Sequence, residues 1–170
     1  WINMTTAVLL GLTLAFEPIE RGIMQRPPRR IETPVLDGAL IRRIVLVSLL
    51  LLAGSFGLYL RQLALGHTLA EARTVAVNVF VMVEMLYLFN CRSLTRSFWN
   101  LGIFSNLWVW GGIASMIVLQ LMLTYWTPLS TTFQTAPIGL VQWLEIIAFA
   151  LFSSLIIALE KYWTWRERST

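Results

Sequence analysis

The sequence predicts an all-α membrane protein folded as a bundle of about five transmembrane helices. Of its 170 residues, 57% are hydrophobic and 13% are charged, which is about half the charged fraction of a soluble domain. No Asp, Glu, Lys or Arg occurs from Ser97 to Leu144, so this stretch would expose a large apolar surface in water. Apolar runs such as Ile44–Leu52 do not alternate with polar residues, and continuous runs indicate membrane helices rather than barrel strands.

Five apolar segments are candidates for these helices, at residues 1–16, 40–60, 74–89, 105–125 and 138–159. The first would extend about 24 Å as a helix, which is short of a hydrocarbon core of about 30 Å. We therefore expect a clipped helix whose first turns are missing. Glu17-Pro18 closes this segment, because a proline does not continue a helix. Arg43 and Arg61 bracket the uncharged centre of the second segment.

The basic residues are distributed unequally between the two sides of the predicted bundle. Eleven of the 13 Lys and Arg residues fall in or beside the loop at residues 17–39, in the loop after the third segment, or in the C-terminal tail. Only Arg61 and Arg73 fall on the other side. Because cytoplasmic loops are enriched in Lys and Arg, we expect both loops and the C-terminus to be cytoplasmic, in a multi-pass protein of the plasma membrane.

The composition excludes several classes of site. Cys91 and His67 are each the only residue of their type, so the chain can form no internal disulfide and no cysteine or histidine metal cluster. A pI of about 9.8 would suggest nucleic-acid binding in a soluble chain. In a membrane protein an excess of basic residues instead indicates how the chain is oriented in the membrane, so we expect no nucleic-acid partner. The sequence has no phosphate-binding glycine loop, paired catalytic acids or nucleophile motif, so we predict no catalytic and no cofactor-binding residue.

Glu84 is the most informative residue, because it places a carboxylate inside the third apolar segment. Ionisable side chains are costly in hydrocarbon and usually face the interior of a bundle or a wet cavity. Carboxylate oxygens suit hard cations, so Glu84 is a candidate cation ligand or proton carrier. The alternative is a protonated structural acid that is hydrogen-bonded to a neighbouring helix.

The first segment carries three further oxygen-bearing residues, Asn3, Thr6 and Thr13. Steps of three and seven residues place them within about 60° of one another on an α-helix. Their amide and hydroxyl oxygens could complete an oxygen cage around a cation. The same side chains could instead form ordinary hydrogen bonds between membrane helices.

Two other acids lie near the ends of the predicted helices. We expect Glu145 to snorkel or to form a salt bridge at the rim, and Glu160, beside Lys161, to be a solvated helix end. Small residues allow membrane helices to approach closely. Those predicted to do so are Gly54, Gly57, Gly111, Gly112 and Ser115.

The opening of the chain, Trp1–Arg29, carries a specific motif. It reads WINMTTAVLLGLTLAFEPIERGIMQRPPR and resembles the sixth transmembrane helix and following cytoplasmic loop of type II P-type ATPases. The calcium-pump branch of that family reads approximately W-x-N-x-x-T-D, then F-x-P-x-x-x-x-I-M-x-R-P-P-R. Asn78–Met85 resembles the family's eighth helix, and Asn106–Glu145 its ninth helix, outer loop and tenth helix. The resemblance implies that residues 1–170 form the C-terminal transmembrane domain of a bacterial calcium-pump-like ATPase of the inner membrane.

The resemblance also implies metal-ligating roles for three residues. Asn3 and Thr6 match family residues of the sixth helix, and Glu84 matches the glutamate of the eighth helix. Ala7 stands where calcium pumps have an aspartate that bridges two calcium ions. Losing that carboxylate argues against two calcium ions bound in the same way, and leaves one ion or a different ion open.

The implied activity is ATP-driven cation transport with Ca²⁺ as the expected ion, and with ATP and Mg²⁺ used by the full-length protein. The catalytic domains of the family precede Trp1, so this chain alone should be inactive. Its partners would be the lipid bilayer and the remaining helices and cytoplasmic domains of the same pump, coupled through the loop from Glu17 to Pro34. Alternatives are a pump for potassium, sodium, magnesium or protons, and a non-transporting scaffold or accessory subunit in which Glu84 only packs.

Overall fold

A computed structural model describes residues 1–18, Leu36, 38–92 and 105–167, with side chains as far as Thr164. Over these residues the chain forms six helices and no strand. The helices are α1 (Asn3–Leu14), α2 (Gly38–Ala64), α3 (Leu69–Cys91), α4 (Leu107–Tyr125), α5 (Thr127–Phe133) and α6 (Leu140–Glu167). Most of the predicted cytoplasmic loop at residues 17–39, and the loop that follows α3, lie outside the described residues.

Four of these helices, α2, α3, α4 and α6, are long and apolar enough to cross a membrane, and α1 is a shorter apolar helix. This confirms the predicted all-α membrane bundle. Both α2 and α3 extend beyond the predicted segments at each end, and α6 continues to Glu167 rather than ending near residue 159. The short helix α5 lies in a stretch that the sequence analysis had assigned to a loop.

Helix α1 is not a regular α-helix. Asn3–Leu10 is π-helical, and only Gly11–Leu14 is α-helical. The Thr5 hydroxyl donates to the Trp1 carbonyl at 2.9 Å, and the Thr6 hydroxyl donates to the Ile2 carbonyl at 2.7 Å. Hydroxyls that bond to backbone carbonyls compete with the regular ladder, and the i→i+5 bonds of a π-helix wind the chain more loosely.

A capping box explains why α3 begins at Leu69, before the predicted residue 74. The Thr68 hydroxyl accepts from the Glu71 backbone N–H at 3.2 Å, and the Glu71 carboxylate accepts from the Thr68 N–H at 2.7 Å. The two side chains satisfy N–H groups that the first turn would leave unpaired. Gly66, at φ 82°, supplies the left-handed residue in the turn from α2.

Helix α3 is the centre of the bundle and packs against α1, α2, α4 and α6. Half of its apolar window is buried, against 11% for α2. One apolar core joins α3 to α1 and α4, and consists of Leu10, Val81, Met85, Leu88, Val109 and Met116. A second core lies between α3 and α6, and consists of Val75, Val79, Val83, Ile138, Ile146 and Ala150. Glu84 therefore sits on the most enclosed helix.

Two of the small residues form close helix contacts as predicted. A Cβ at Gly54 would collide with the Phe149 ring on α6, and a Cβ at Gly112 would lie 2.5 Å from Thr13 Cγ2 on α1. Gly57 and Gly111 form no such contact with the part of the chain that the structure describes, where a Cβ at either position would meet no atom within 4 Å.

The two ends of the bundle differ in their ion pairs. The basic end, where α1, α3 and α6 finish and α2 and α4 begin, places Glu160 against Arg43 at 3.0 Å and Arg42 at 3.3 Å. The prediction of a solvated helix end for Glu160 is therefore wrong: its side chain is 11% exposed, because two arginines of α2 surround it. Lys161 is also buried, and donates to the Asn90 carbonyl at 3.1 Å.

At the opposite end, Glu145 forms a salt bridge with Arg61 at 2.7 Å. The Arg61 side chain is 57% exposed, so this is the rim salt bridge that the sequence predicts. Gln62 also donates to Glu145 Oε2 at 2.8 Å. The pair joins the end of α2 to the start of α6.

Candidate cation site

The candidate site lies where α1 crosses α3, with Glu84 as its charged residue. Glu84 is seven residues before the end of α3, about 10 Å along the helix axis. Its carboxyl group is partly buried and lies beside the Thr6 side chain of α1. Its Oε2 atom is buried and has no hydrogen-bond partner. Buried polar atoms are nearly always satisfied, so this oxygen points to a ligand or proton.

Thr6 is the second member of the site, and its residue is only 4% exposed. A hydroxyl has one proton to donate and two lone pairs to accept with. That proton goes to the Ile2 carbonyl, 2.7 Å away, so the hydroxyl keeps its lone pairs for another partner. A cation shared with the Glu84 carboxyl, or a proton on Glu84, would be such a partner.

Asn3 does not join this pair in the structure. The Asn3 residue is exposed, whereas Thr6 and Thr13 are buried. The expectation that all three share one face is wrong because it assumed α-helical geometry, and π-helical turns separate residues three apart more widely. Ala7 is also exposed, four residues after Asn3, so both lie away from the described helices.

Thr13 packs away from the site. Its hydroxyl donates to the Leu10 carbonyl at 2.6 Å, and its methyl group fills the space above Gly112. Thr13 therefore has a helix-packing role, and its hydroxyl forms a hydrogen bond within α1 rather than the bond between helices that was the alternative for this residue.

A buried polar cluster that the sequence analysis did not identify lies closer to the opposite end. Gln120 of α4 accepts from the Trp1 indole N–H at 2.8 Å and donates to Asn78 Oδ1 at 3.1 Å. Asn78 in turn donates to Thr124 Oγ1 at 3.2 Å and to the Thr74 carbonyl at 2.9 Å. Two buried amides within apolar helices were the available signal. Each is hydrogen-bonded to the other, so the cluster joins α3 to α4.

A cavity of about 360 Å³ lies between α3, α4 and α6, beside this cluster. Its walls are almost entirely apolar, with Asn78 and Gln120 as the polar exceptions among side chains such as Val81, Met82 and Ile147. Glu84 does not line it. An apolar cavity suits hydrocarbon and offers a cation no oxygen shell, so the candidate cation site is separate from it.

For a bound cation, the described residues would supply only part of a coordination shell. No three His, Cys, Asp or Glu side chains come together within them as a metal centre. Glu84 contributes a charged oxygen and Thr6 a neutral one, whereas calcium takes about six to eight oxygen ligands. Further oxygens have to come from elsewhere.

Comparison with known proteins identifies relatives along nearly the whole chain. A family model described as "Cation transporting ATPase, C-terminus" matches residues 1–163. The "Probable cation-transporting ATPase F" of Mycobacterium tuberculosis is 50% identical over 158 residues, which cover 93% of this chain and 18% of that protein.

More distant relatives carry calcium in their names. The mouse "Calcium-transporting ATPase type 2C member 2" is 26% identical over 164 residues, covering 96% of this chain and 17% of that protein. The "Calcium-transporting ATPase 1" of Schizosaccharomyces pombe is 28% identical over 148 residues, covering 87% and 16%. The chain thus spans less than a fifth of the length of the curated relatives it matches.

Proposed function

This chain belongs to the cation-transporting P-type ATPase family, whose C-terminal membrane region it matches, and we propose that in the full-length protein it supplies part of the cation site of an ATP-driven pump. The observation that carries the proposal is the buried, unpartnered Oε2 of Glu84 beside Thr6. Phosphorylation by ATP would expose this site to each side of the membrane in turn. ATP and Mg²⁺ act on the parts of the protein outside this chain.

Glu84 and Thr6 are the two ligands best supported by geometry. A carboxylate with one free oxygen supplies charge, and a hydroxyl with free lone pairs supplies a neutral oxygen. Asn3 is the third proposed ligand and requires a change in α1, because it is exposed in this structure. Asn3 and Ala7 lie on the face of α1 that no described helix covers, where oxygens from the rest of the pump could meet the ion.

We propose Ca²⁺ as the transported ion, and one ion at this site. The support is chemical, since carboxylate and hydroxyl oxygens suit a hard cation, and comparative, since relatives at 26–28% identity are named as calcium-transporting. Alanine at position 7 leaves Glu84 as the charged ligand that this chain offers. One carboxylate carries a single negative charge, which is too little to balance two divalent cations.

The basic end is proposed to face the cytoplasm. Arg42, Arg43, Arg92 and Lys161 all lie there, and basic residues mark cytoplasmic ends. This places the C-terminus in the cytoplasm. The mycobacterial relative supports a bacterial inner membrane as the location.

Replacing Glu84 with Gln in the full-length protein tests the site. The cation concentration for half-maximal phosphorylation from ATP should rise at least about tenfold, since bonds to a charged group contribute about 1.5–3 kcal/mol. Glu145→Gln is the matched control, because it removes an acid from a rim salt bridge of the same bundle and should change that concentration less than about twofold. Unchanged cation affinity in Glu84→Gln would refute the site and favour a scaffold role.

The identity of the ion has its own experiment. Phosphorylation from ATP is measured at a fixed Mg²⁺ concentration with Ca²⁺, further Mg²⁺, K⁺ or Na⁺ as the added cation, and across a range of pH. Of these additions, we expect only Ca²⁺ to trigger it. Phosphorylation triggered by another cation, with sensitivity to Glu84→Gln retained, would keep the site and replace the ion.

A further inference from the structure

A buried ion pair closes the basic end of the bundle beside the candidate site. Arg92, just after α3, donates to Glu17, just after α1, through Nη2 at 2.7 Å and through Nε at 3.1 Å. The Arg92 side chain is fully buried, and that of Glu17 is 15% exposed. Two-point contact between a guanidinium and a carboxylate fixes the relative orientation of the groups as well as their distance.

Helix α4 completes this cluster, which we call the clasp (Glu17, Arg92, Ser105 and Asn106). Asn106 donates to Glu17 Oε2 at 2.8 Å and to the Thr13 carbonyl at 3.2 Å, and its Oδ1 accepts from the Trp108 N–H that opens α4. Arg92 also donates to the Ser105 hydroxyl. Three helices therefore meet at one carboxylate.

The clasp and the candidate site lie on the same two helices. Thr6 is eleven residues before Glu17, and Glu84 is eight residues before Arg92. Apart from the Trp1–Gln120 hydrogen bond at the opposite end, the remaining contacts of α1 with α3 and α4 are mainly apolar, through residues such as Leu10 and Leu14. Apolar contact is non-directional, so it tolerates sliding and rotation of α1 that the clasp does not. If α1 slipped along α3 by one turn, about 5.4 Å, the Glu17–Arg92 contact would break and Thr6 would move away from Glu84 at the same time.

We propose that Arg92 is a positioning residue for cation binding: through Glu17 it fixes the depth and rotation of α1 against α3, and so holds Thr6 opposite Glu84. This inference rests on the proposed cation site.

The experiment measures cation-dependent phosphorylation from ATP in the full-length protein carrying Arg92→Gln. The cation concentration for half-maximal phosphorylation should rise about tenfold or more, since misplacing a site group by about 1 Å costs up to a hundredfold. The ATP concentration for half-maximal phosphorylation should stay unchanged. Arg92→Lys keeps the charge but loses the two-point contact, and should give an intermediate shift that remains measurable even where Arg92→Gln fails to fold.

The matched control is Arg61→Gln, which breaks the Arg61–Glu145 pair at the opposite end and should leave cation affinity within about twofold. The decisive comparison adds Arg92→Gln to Glu84→Gln. If Arg92 acts by positioning, the double variant should bind no more weakly than Glu84→Gln, because the interaction that Arg92 supports is already absent.

The outcomes separate the two hypotheses. If Glu84→Gln lowers cation affinity while Arg92→Gln and Arg92→Lys do not, the positioning role is refuted and the site stands. If the effects of Arg92→Gln and Glu84→Gln add fully, Arg92 acts on something other than Glu84 and the inference fails. If Glu84→Gln has no effect, the proposed site itself is refuted.

Discussion

The Phe149 ring of α6 lies where a side chain on Gly54 of α2 would stand. The absence of a Cβ at this position lets the two helices approach until ring and backbone touch. The contact lies between the Arg61–Glu145 pair at one end and the Arg43–Glu160 pair at the other, so α2 and α6 are held at three levels.

Gly54→Ala should therefore destabilise the protein. The added methyl group overlaps the Phe149 ring, and overpacking of this kind costs about 1–3 kcal/mol. The measurement is the melting temperature of the full-length protein in detergent. Gly57→Ala is the control, because a Cβ there meets nothing within 4 Å and alanine is the better helix former. Equal losses for the two variants would contradict the packing role of Gly54.

The two acids of α6 should differ in their contribution to stability. Arg43 and Glu160 side chains are 10% and 11% exposed, whereas Arg61 is 57% exposed. Removing one partner of a buried pair costs about 3–5 kcal/mol, and an exposed pair contributes about 0–1 kcal/mol. Glu160→Gln should lower the melting temperature clearly more than Glu145→Gln. A larger fall in melting temperature for Glu145→Gln would show that solvent exposure does not determine how much each pair contributes to stability.

The amide cluster should stabilise the contact of α3 with α4. Gln120→Ala leaves Asn78 Oδ1 and the Trp1 indole without their partner, at a cost of about 1–2 kcal/mol. Ser115→Ala is the control on the same helix, because that exposed hydroxyl donates only to the Gly111 carbonyl. The melting temperature should fall for the first variant alone, and an equal fall in Ser115→Ala would contradict the role of the cluster.

The clasp should lose its stabilising effect in acid. Burial raises the pKa of the Glu17 carboxyl, but hydrogen bonds from Arg92 and Asn106 and the charge of Arg92 outweigh it, so the pKa lies below its ordinary value of 4.5. A carboxyl with a lowered native pKa contributes stability above its unfolded pKa, and that contribution is lost as pH falls through the native value. The contribution should therefore be constant from neutral pH to mild acid.

The measurement compares the melting temperatures of wild type and Glu17→Gln in detergent as the pH is lowered. Wild type should melt higher at neutral pH, and the difference should begin to shrink only below about pH 4.5. A difference that disappears already in mild acid would contradict the lowered pKa of Glu17. A difference that persists through the full range would show that the carboxylate charge is not what stabilises the clasp.

The sequence predicted the fold class correctly and indicated Glu84 as a candidate site residue, because both inferences depend on the contrast between charged and apolar residues. A carboxylate within an apolar helix is such a contrast. Asn78 and Gln120 are more deeply buried than Glu84, but neutral amides commonly form hydrogen bonds between membrane helices and so give a weaker contrast than a charge. Glu160 was misjudged because position along the chain cannot show that two arginines from another helix surround it.

The placement of Asn3 could not be predicted, for a geometric reason. Helical periodicity assumes about 3.6 residues per turn, and nothing in the segment signals a π-helix apart from two adjacent threonines. The N-terminal boundary of α3, by contrast, has a sequence signal, because Thr68 followed three residues later by Glu71 is the capping-box pattern. Helix α5 also has a sequence signal, because Pro128 is well suited to the first turn of a helix.

The π-helical turns of α1 are wider than α-helical turns, and the same residues could also be wound as a regular α-helix. Rewinding Asn3–Leu10 into regular α-helical turns would make the segment narrower and longer, and would swing Asn3 to within about 60° of Thr6. The Asn3 amide oxygen would then lie on the same side of α1 as the Thr6 hydroxyl. A small change of winding in eight residues would thus alter how many oxygens one end of the helix offers, without any helix leaving its place in the bundle.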